Sequence, residues 1–173
     1  SALSDALRDL RAICRGLALP EIDGLSLAEL LDHAVATHRQ RTRAAVALDV
    51  DGDLAAGALP RSLRICVYRF VQEGLNNAYR HAGDGAARVS ATVGDGALLL
   101  AVEDQGPGFQ GTSREGLGLS GLRDRVESLG GEFRVEPRAG GGARIAMRIG
   151  PTLTSIAAVP ASTYRSPAFS TRL

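Results

Sequence analysis

The chain has 173 residues, 45% of them hydrophobic, and its 20 basic and 19 acidic side chains give a formal net charge of +1. This length and apolar content suffice for one domain with its own core, and the balanced charge gives no electrostatic reason to expect nucleic acid or an anionic membrane as the main partner. All the basic residues are arginines, which excludes a Walker A loop, the strand lysine of protein kinases and Schiff-base enzymes, because each of these requires a lysine.

The first 24 residues predict a helix and a linker. Five apolar side chains follow the heptad spacing of a helix that packs on a partner: Leu3, Leu7, Leu10, Cys14 and Leu17. A simple amphipathic helix lying on its own domain would show the same spacing. Pro20 and Gly24 break the helix, so residues 19–24 are predicted to be a short linker.

Residues 25–150 predict a mixture of helices and strands. A capping box formed by Ser26 and Glu29 begins a helix that extends to about residue 41. The other predicted elements are a strand over 45–50, a long helix over 60–82, strands over 87–93 and 97–103, a helix over 119–129, and strands over 132–136 and 143–149. Strands grouped in this way, with helices on one face, predict an α+β two-layer sandwich with a mixed, mostly antiparallel sheet.

The last segment, residues 151–173, differs in composition from the rest of the chain. Fifteen of its 23 residues are Ser, Thr, Pro or Ala, and it contains no acidic residue. Such a segment has few side chains that could anchor it to a core. It is therefore predicted to be a disordered or loosely docked tail.

The long helix carries the first group of candidate functional residues. Four polar side chains lie along one side of it at helical spacing: Glu73, Asn77, Arg80 and His81. A carboxylate and a carboxamide one turn apart can converge on a small cation, and Mg²⁺ takes few oxygen ligands from a protein. A solvated polar face, in which Arg80 and His81 complement the helix dipole, would give the same pattern.

Two glycine-rich motifs follow the long helix. Asp104 comes directly after an apolar strand and before Gly106 and Gly108, so its carboxylate lies at the rim of the sheet, where it can accept a hydrogen bond from an amino group such as that of adenine. A plain turn would have the same composition. Glycines between Gly116 and Gly121 precede and open the next helix, which leaves its first backbone N–H groups open to an anion, although ordinary capping also explains them.

In this order the motifs resemble the sequence boxes of sensor histidine kinases. Residues 72–82 resemble the N-box, residues 104–108 the first glycine box and residues 116–125 the second. The similarity is greatest to the nitrate-sensor and desaturase-thermosensor subfamily, whose N-box carries a glutamate four residues before the asparagine. Residues 15–27 resemble that subfamily's junction between the dimerisation helix and the ATPase domain, so the resemblance covers about residues 10–149.

The resemblance implies a Bergerat-type ATP-binding fold with ATP and Mg²⁺ as cofactors. Glu73 and Asn77 would be the catalytic and metal-binding residues, with Glu73 helping to activate the phosphate acceptor, and Asp104 would bind the adenine amino group. Further nucleotide-binding residues are implied at Arg80, His81, Gly106, Gly108, Gly116, Gly118, Leu119, Gly121 and Arg123.

Three features bear on how closely the chain follows the family. Ala143 stands after Gly142 where the third box usually has a threonine, which affects the expected nucleotide affinity and not the fold. Residues 110–115 predict a short lid. No histidine of the chain is followed directly by an acidic residue, as the family's phosphate acceptor is.

We therefore expect the chain to be part of a longer kinase and not to autophosphorylate alone. Residues 1–24 would be the distal part of the second dimerisation helix and a linker, residues 25–150 the catalytic domain, and residues 151–173 the tail. The domain would donate the γ-phosphoryl group of ATP to a histidine on a dimerisation helix absent from this chain, for relay to a response regulator. We expect that regulator to be a DNA-binding one, and the full-length kinase to be a homodimer without direct contact to nucleic acid.

The expected location is cytoplasmic, either alone or as the cytoplasmic part of a membrane-bound sensor, because the longest aliphatic run, residues 97–102, is too short to cross a bilayer.

Two alternative functions remain open. A stand-alone serine kinase of the anti-sigma-factor type would explain the missing acceptor histidine but not the junction, and a catalytically silent nucleotide-binding module would agree with Ala143. Gyrase-, chaperone- and mismatch-repair-type ATPases share the fold but carry insertions and a transducer domain for which this chain has no room.

Overall fold

In the computed structural model, the described residues are 22–55, 58–83, 85–106, 117–150 and 164–165. They form three helices, which are α1 (Leu27–Thr42), α2 (Arg61–Ala82) and α3 (Leu117–Ser128). They also form six strands, which are β1 (Val46–Asp51), β2 (Ala87–Gly94), β3 (Ala97–Glu103), β4 (Glu132–Pro137), β5 (Ala143–Ile149) and β6 (Tyr164–Arg165). The predicted N-terminal helix lies outside the described residues.

The strands form one mixed sheet in the order β4-β5-β3-β2-β1-β6. β1 and β2 are parallel and are connected through α2, whereas the other neighbouring pairs are antiparallel. The prediction of a mixed, mostly antiparallel sheet in an α+β fold is therefore confirmed. Of the helices that the structure describes, none combines the length and apolar character needed to cross a membrane.

The ends of the helices follow the local signals in the sequence. The Ser26 hydroxyl accepts a hydrogen bond from the Glu29 N–H, and the Glu29 carboxylate accepts one from the Ser26 N–H, which completes the capping box of α1. α2 begins after Pro60 and is capped by Gly83, whose positive φ of 65° glycine adopts without strain.

A glycine in the middle of α2 sets the distance between this helix and the sheet. A Cβ atom on Gly74 would lie 2.8 Å from Cδ1 of Ile145 and 2.9 Å from Cγ2 of Val102. Because glycine has no side chain, α2 lies close to β3 and β5 at this point. The polar side of α2 is thereby held near the end of β3, where Asp104 follows.

The tail contributes one short strand to the described structure. β6 pairs with Asp49 and Val50 of β1 and extends the edge of the sheet. The rest of residues 151–173 lies outside the described residues, and its state stays a prediction.

Candidate nucleotide site

The polar side of α2 forms a hydrogen-bonded row. Nη1 of Arg80 donates to Oδ1 of Asn77 at 3.3 Å, and Nδ2 of Asn77 donates to Oε1 of Glu73 at 3.5 Å. Glu73 and Asn77 are half-buried, whereas Arg80 and His81 are exposed. The Asn77 carboxamide thus lies between a carboxylate on one side and a guanidinium on the other.

Asp104, directly after β3, is held by four backbone or side-chain contacts. Its Oδ1 accepts hydrogen bonds from the N–H groups of Gly106 at 2.9 Å and Ala143 at 3.2 Å. Its own N–H donates to the Ala143 carbonyl at 3.0 Å, and its carbonyl accepts from Nη1 of Arg138 at 2.8 Å. Only 7% of the residue is exposed. Within the described part of the chain, Oδ2 of Asp104 has no hydrogen-bond partner, so one carboxylate oxygen is fixed and the other can accept from a ligand.

Three glycines lie where a side chain would collide with these groups. A Cβ atom on Gly118, in the first turn of α3, would overlap the Glu73 carboxylate, and one on Gly142 would overlap the Asp104 carbonyl oxygen. A Cβ atom on Gly106 would lie 2.9 Å from Cβ of Ala82, at the end of α2. Gly142 also has a φ of 92°, which favours glycine on its own. The glycines therefore bring α3 and two turns against the polar side of α2 and Asp104.

The other residues that the resemblance implied lie in different surroundings. Leu119 is buried in the hydrophobic core, and Gly121 is exposed on α3. The guanidinium of Arg123 lies 5.0 Å above the ring of Phe133, and Nη1 is 3.4 Å from the Phe133 carbonyl. Its assignment to the phosphates stays a prediction. Gly108, Gly116 and the predicted lid over 110–115 lie outside the described residues.

Burial fixes the protonation of two groups away from this site. His38, on α1, is 3% exposed, and its burial, together with nearby Arg41, lowers its pKa to about 4, so the imidazole is neutral near pH 7. Burial raises the pKa of the Cys66 thiol to about 11, which keeps it protonated and unreactive. Neither group offers an acid, a base or a nucleophile to the site.

The residues present fit a magnesium ion that takes few ligands from the protein. Glu73 and Asn77 carry a carboxylate and a carboxamide oxygen on consecutive turns, which is the donor chemistry that Mg²⁺ uses when substrate phosphates and water complete its shell. Because the Asn77 oxygen accepts from Arg80 and the Asn77 nitrogen faces Glu73 in this structure, the carboxamide would have to turn for both oxygens to ligate one ion. Among the described residues there is no group of three or more His, Cys, Asp or Glu side chains that could hold a metal without a substrate.

Sequence reasoning missed one residue that contacts the site. Arg138 reaches the Asp104 carbonyl from the turn between β4 and β5, 34 residues further along the chain. Its partner Glu103 stands opposite Arg144 in the register of β3 and β5. The available signal was the opposite-charge pair that Glu103 and Arg144 form on adjacent strands, beside Arg138. Using this signal required knowledge of which strands pair.

The fold is an α+β fold, and a comparison with protein families gives the class of the protein as an ATPase domain. Residues 62–152, slightly more than half of the chain, match the family described as "Histidine kinase-, DNA gyrase B-, and HSP90-like ATPase". The chain belongs to this family.

The relatives to which the chain is similar include signal transduction and sensor kinases. The chain is 34% identical over 116 residues to the signal transduction histidine-protein kinase/phosphatase UhpB of Salmonella typhimurium, covering 66% of this chain and 23% of UhpB. It is 36% identical over 135 residues to the methanol utilization control sensor protein MoxY of Paracoccus denitrificans, covering 74% of this chain and 29% of MoxY. The chain thus spans about a quarter of the length of these relatives.

Solved structures agree with this assignment. The catalytic domain of histidine kinase ThkA superposes with a TM-score of 0.61 at 17% identity, covering 72% of this chain and 93% of that domain, which shows the fold. The histidine kinase domain of the Erythrobacter litoralis EL346 blue-light activated kinase gives a TM-score of 0.54 at 27% identity, covering 70% of this chain and 59% of that one. The chain is an ATP-binding domain homologous to the catalytic domains of sensor histidine kinases, as the motifs predicted.

Proposed function

We propose that this domain binds Mg-ATP and donates the γ-phosphoryl group to a histidine on a dimerisation helix, for relay to a response regulator. The observation that carries the proposal is the environment of Asp104. A nearly buried carboxylate with one oxygen held by two backbone N–H groups and the other left for a ligand is suited to one specific donor.

The chemistry of the two purine bases favours adenine as that donor. An ionised carboxylate only accepts hydrogen bonds, and adenine presents an exocyclic amino group to it. Guanine carries a carbonyl oxygen at the same position of the ring, which would face Oδ2 of Asp104 as a second acceptor. The site would therefore select adenine nucleotides both by attraction and by repulsion of the alternative.

The row on α2 supports the assignment of the phosphate end of the site. Glu73 and Asn77 would hold Mg²⁺, which, when bound, would neutralise charge on the phosphate oxygens. Arg80, hydrogen-bonded to Asn77, would bring a further positive charge to the phosphates. Glu73 would polarise the acceptor imidazole as a general base. The contact of Gly118 with Glu73 supports a site in which the start of α3 lies against this base.

The glutamate four residues before Asn77 supports placement in the nitrate-sensor and desaturase-thermosensor subfamily. We further infer a homodimer formed through dimerisation helices, with residues 1–24 as the distal part of the second helix and a linker. We also infer a DNA-binding response regulator as the partner and a cytoplasmic location. The similarity to UhpB and MoxY, the second of which is named a control sensor protein, supports this reading of the whole protein.

The test is autophosphorylation with γ-labelled ATP. The 173-residue chain should gain no label, whereas a chain extended upstream to include the dimerisation helices should gain acid-labile, base-stable label. In the extended chain, Asn77→Ala should abolish labelling, and Glu73→Gln should slow phosphoryl transfer more than it weakens ATP binding.

Asn76→Ala is the matched control, because it removes the same carboxamide one position away. The Asn76 side chain accepts a hydrogen bond from Arg41 of α1 and is not part of the row. Label on the 173-residue chain would contradict the proposed acceptor, and transfer to a serine of an added partner protein would favour the anti-sigma-factor type instead. Equal loss of label in the two asparagine variants would remove Asn77 from its metal-binding role.

A further inference from the structure

The pairing between β3 and β5 is altered at Asp104. In an antiparallel pair, every second pair of directly opposed residues exchanges two backbone hydrogen bonds, and Asp104 and Ala143 stand at such a position. The Asp104 N–H does donate to the Ala143 carbonyl, at 3.0 Å, but the Ala143 N–H donates to the Asp104 carboxylate at 3.2 Å. The returning bond of the ladder is therefore diverted from the backbone to the side chain.

Arg138 takes the place of the diverted bond. Its Nη1 donates to the Asp104 carbonyl at 2.8 Å, so this carbonyl has a donor although the strand does not supply one. The turn that carries Arg138 is closed by a hydrogen bond from the Arg138 N–H to the Gly142 carbonyl at 3.1 Å and by one from the Gly141 N–H to the Arg138 carbonyl at 3.2 Å. Gly142 lies directly against the same carbonyl.

An ion pair orients the Arg138 side chain for this contact. Its Nε lies 3.5 Å from Oε2 of Glu103, and the two side chains are 32% and 22% exposed. The other Glu103 oxygen pairs with Nε of Arg144 at 3.1 Å. Because the guanidinium is anchored at Nε, Nη1 is directed toward the backbone of the residue that follows β3.

We propose that Arg138 is a positioning residue for adenine selectivity. By occupying the Asp104 carbonyl, it keeps the Ala143 N–H on Oδ1 of the carboxylate, and Oδ2 then stays in one place to meet the adenine amino group. Without Arg138, the Ala143 N–H can return to the carbonyl, as in a regular ladder, and the carboxylate loses one of its two backbone donors. The inference rests on the proposed function, in which Asp104 binds adenine.

Arg144 provides a matched control for Arg138. Both arginines pair with Glu103, both carry one positive charge, and both side chains are about one-third exposed. The hydrogen bonds of Arg144 go to Glu103 and to Glu136, not to Asp104. Replacing either arginine by methionine therefore removes the same charge, but only Arg138→Met removes the bond to the Asp104 carbonyl.

The experiment compares the dissociation constants of ADP and GDP for the 173-residue chain by titration calorimetry. Arg138→Met should weaken ADP binding by about three- to tenfold, the value of one hydrogen bond, with GDP binding unchanged or stronger, so the selectivity falls. Arg144→Met should keep the selectivity of the parent chain. Arg138→Lys, which keeps a charged donor, should recover part of it. The amide proton resonance of Ala143 should shift in ligand-free Arg138→Met and not in Arg144→Met.

Two results would overturn the role of Arg138: an unchanged ratio of ADP to GDP affinity in Arg138→Met, or equal losses in the two methionine variants. A melting temperature for each variant distinguishes lost selectivity from lost folding, and the lysine variant tests the same contact if the methionine variant does not fold. Failure of the proposed function would give a different result in the same binding measurement. If Asp104→Asn keeps the selectivity of the parent chain, Asp104 does not bind adenine, and both inferences fall together.

Discussion

Asp104→Asn should weaken ATP binding while the backbone contacts of residue 104 remain. The asparagine carbonyl oxygen can take the position of Oδ1 and accept the N–H groups of Gly106 and Ala143, which are 2.9 and 3.2 Å from that atom. Its amide nitrogen then occupies the position of Oδ2. The group that faces the adenine amino group changes from an acceptor to a donor, so a favourable contact becomes a repulsive one.

The expected magnitude follows from the charge of the group that is lost. A hydrogen bond to an ionised group contributes about 1.5–3 kcal/mol, which corresponds to a loss of roughly 10- to 150-fold in affinity. Binding of a GTP analogue should weaken less than this, or improve, because the guanine carbonyl can accept from the new amide. Asp104→Ala should show a similar loss for ATP, with lower stability as well, because it leaves two backbone N–H groups without their acceptor.

Titration calorimetry with non-hydrolysable ATP and GTP analogues in the presence of Mg²⁺ measures both effects. Asp95→Asn is the control, because it makes the same chemical change at the tip of the β2–β3 hairpin, where the backbone has a φ of 52° that asparagine tolerates. Equal affinities of the parent chain and Asp104→Asn for the ATP analogue would refute the adenine-binding role of Asp104. An equal loss in Asp95→Asn would show that net charge, not the contact, governs affinity.

Two further predictions concern α3 and α1. Gly118→Ala should displace the Glu73 carboxylate, which the new Cβ would overlap, and slow phosphoryl transfer in the extended kinase more than it weakens ATP binding. In a Glu73→Ala background the same substitution should have little further effect, and an undiminished effect there would disprove the steric link. The native state should lose up to about 3 kcal/mol of stability as the pH falls from 6.5 toward 4, because His38 in the unfolded chain binds a proton near the ordinary histidine pKa of 6.5, whereas His38 in the native state has a pKa of about 4. Denaturant unfolding at several pH values measures this, and His38→Gln should lack that part of the pH dependence.

Local signals in the sequence predicted most of the elements, because each signal depends on neighbouring residues. The capping box at Ser26, the stop at Gly83 and the turn at Gly96 all act within a few residues of where they stand. The order of the strands in the sheet could not be predicted from such local signals. The parallel pairing of β1 with β2, and the position of β5 between β3 and β4, depend on contacts between distant parts of the chain.

The residues of the candidate site also fall into two groups: those that a local sequence pattern identifies, and those that depend on contacts between distant parts of the chain. The polar row on α2 is a matter of helical spacing, and Asp104 is recognisable because it follows an apolar strand and precedes glycine. Arg138 carries no such signal, because it acts through a bond from its side chain to a backbone carbonyl 34 residues away. The position of Glu73 against α3 was hidden for a similar reason, since it depends on the absence of a side chain at Gly118.

Ala143 departs from the family pattern, and its contacts in the structure change what this departure implies for nucleotide binding. A threonine there would add a hydroxyl, and its absence suggested weaker nucleotide binding. Ala143 nevertheless supplies both of its backbone groups to Asp104, an N–H to the carboxylate and a carbonyl to the Asp104 N–H. Any residue except proline offers these two groups. The orientation of the Asp104 carboxylate therefore does not depend on the missing hydroxyl, and an Ala143→Thr variant should change nucleotide affinity only through a direct contact of the added hydroxyl with the ligand.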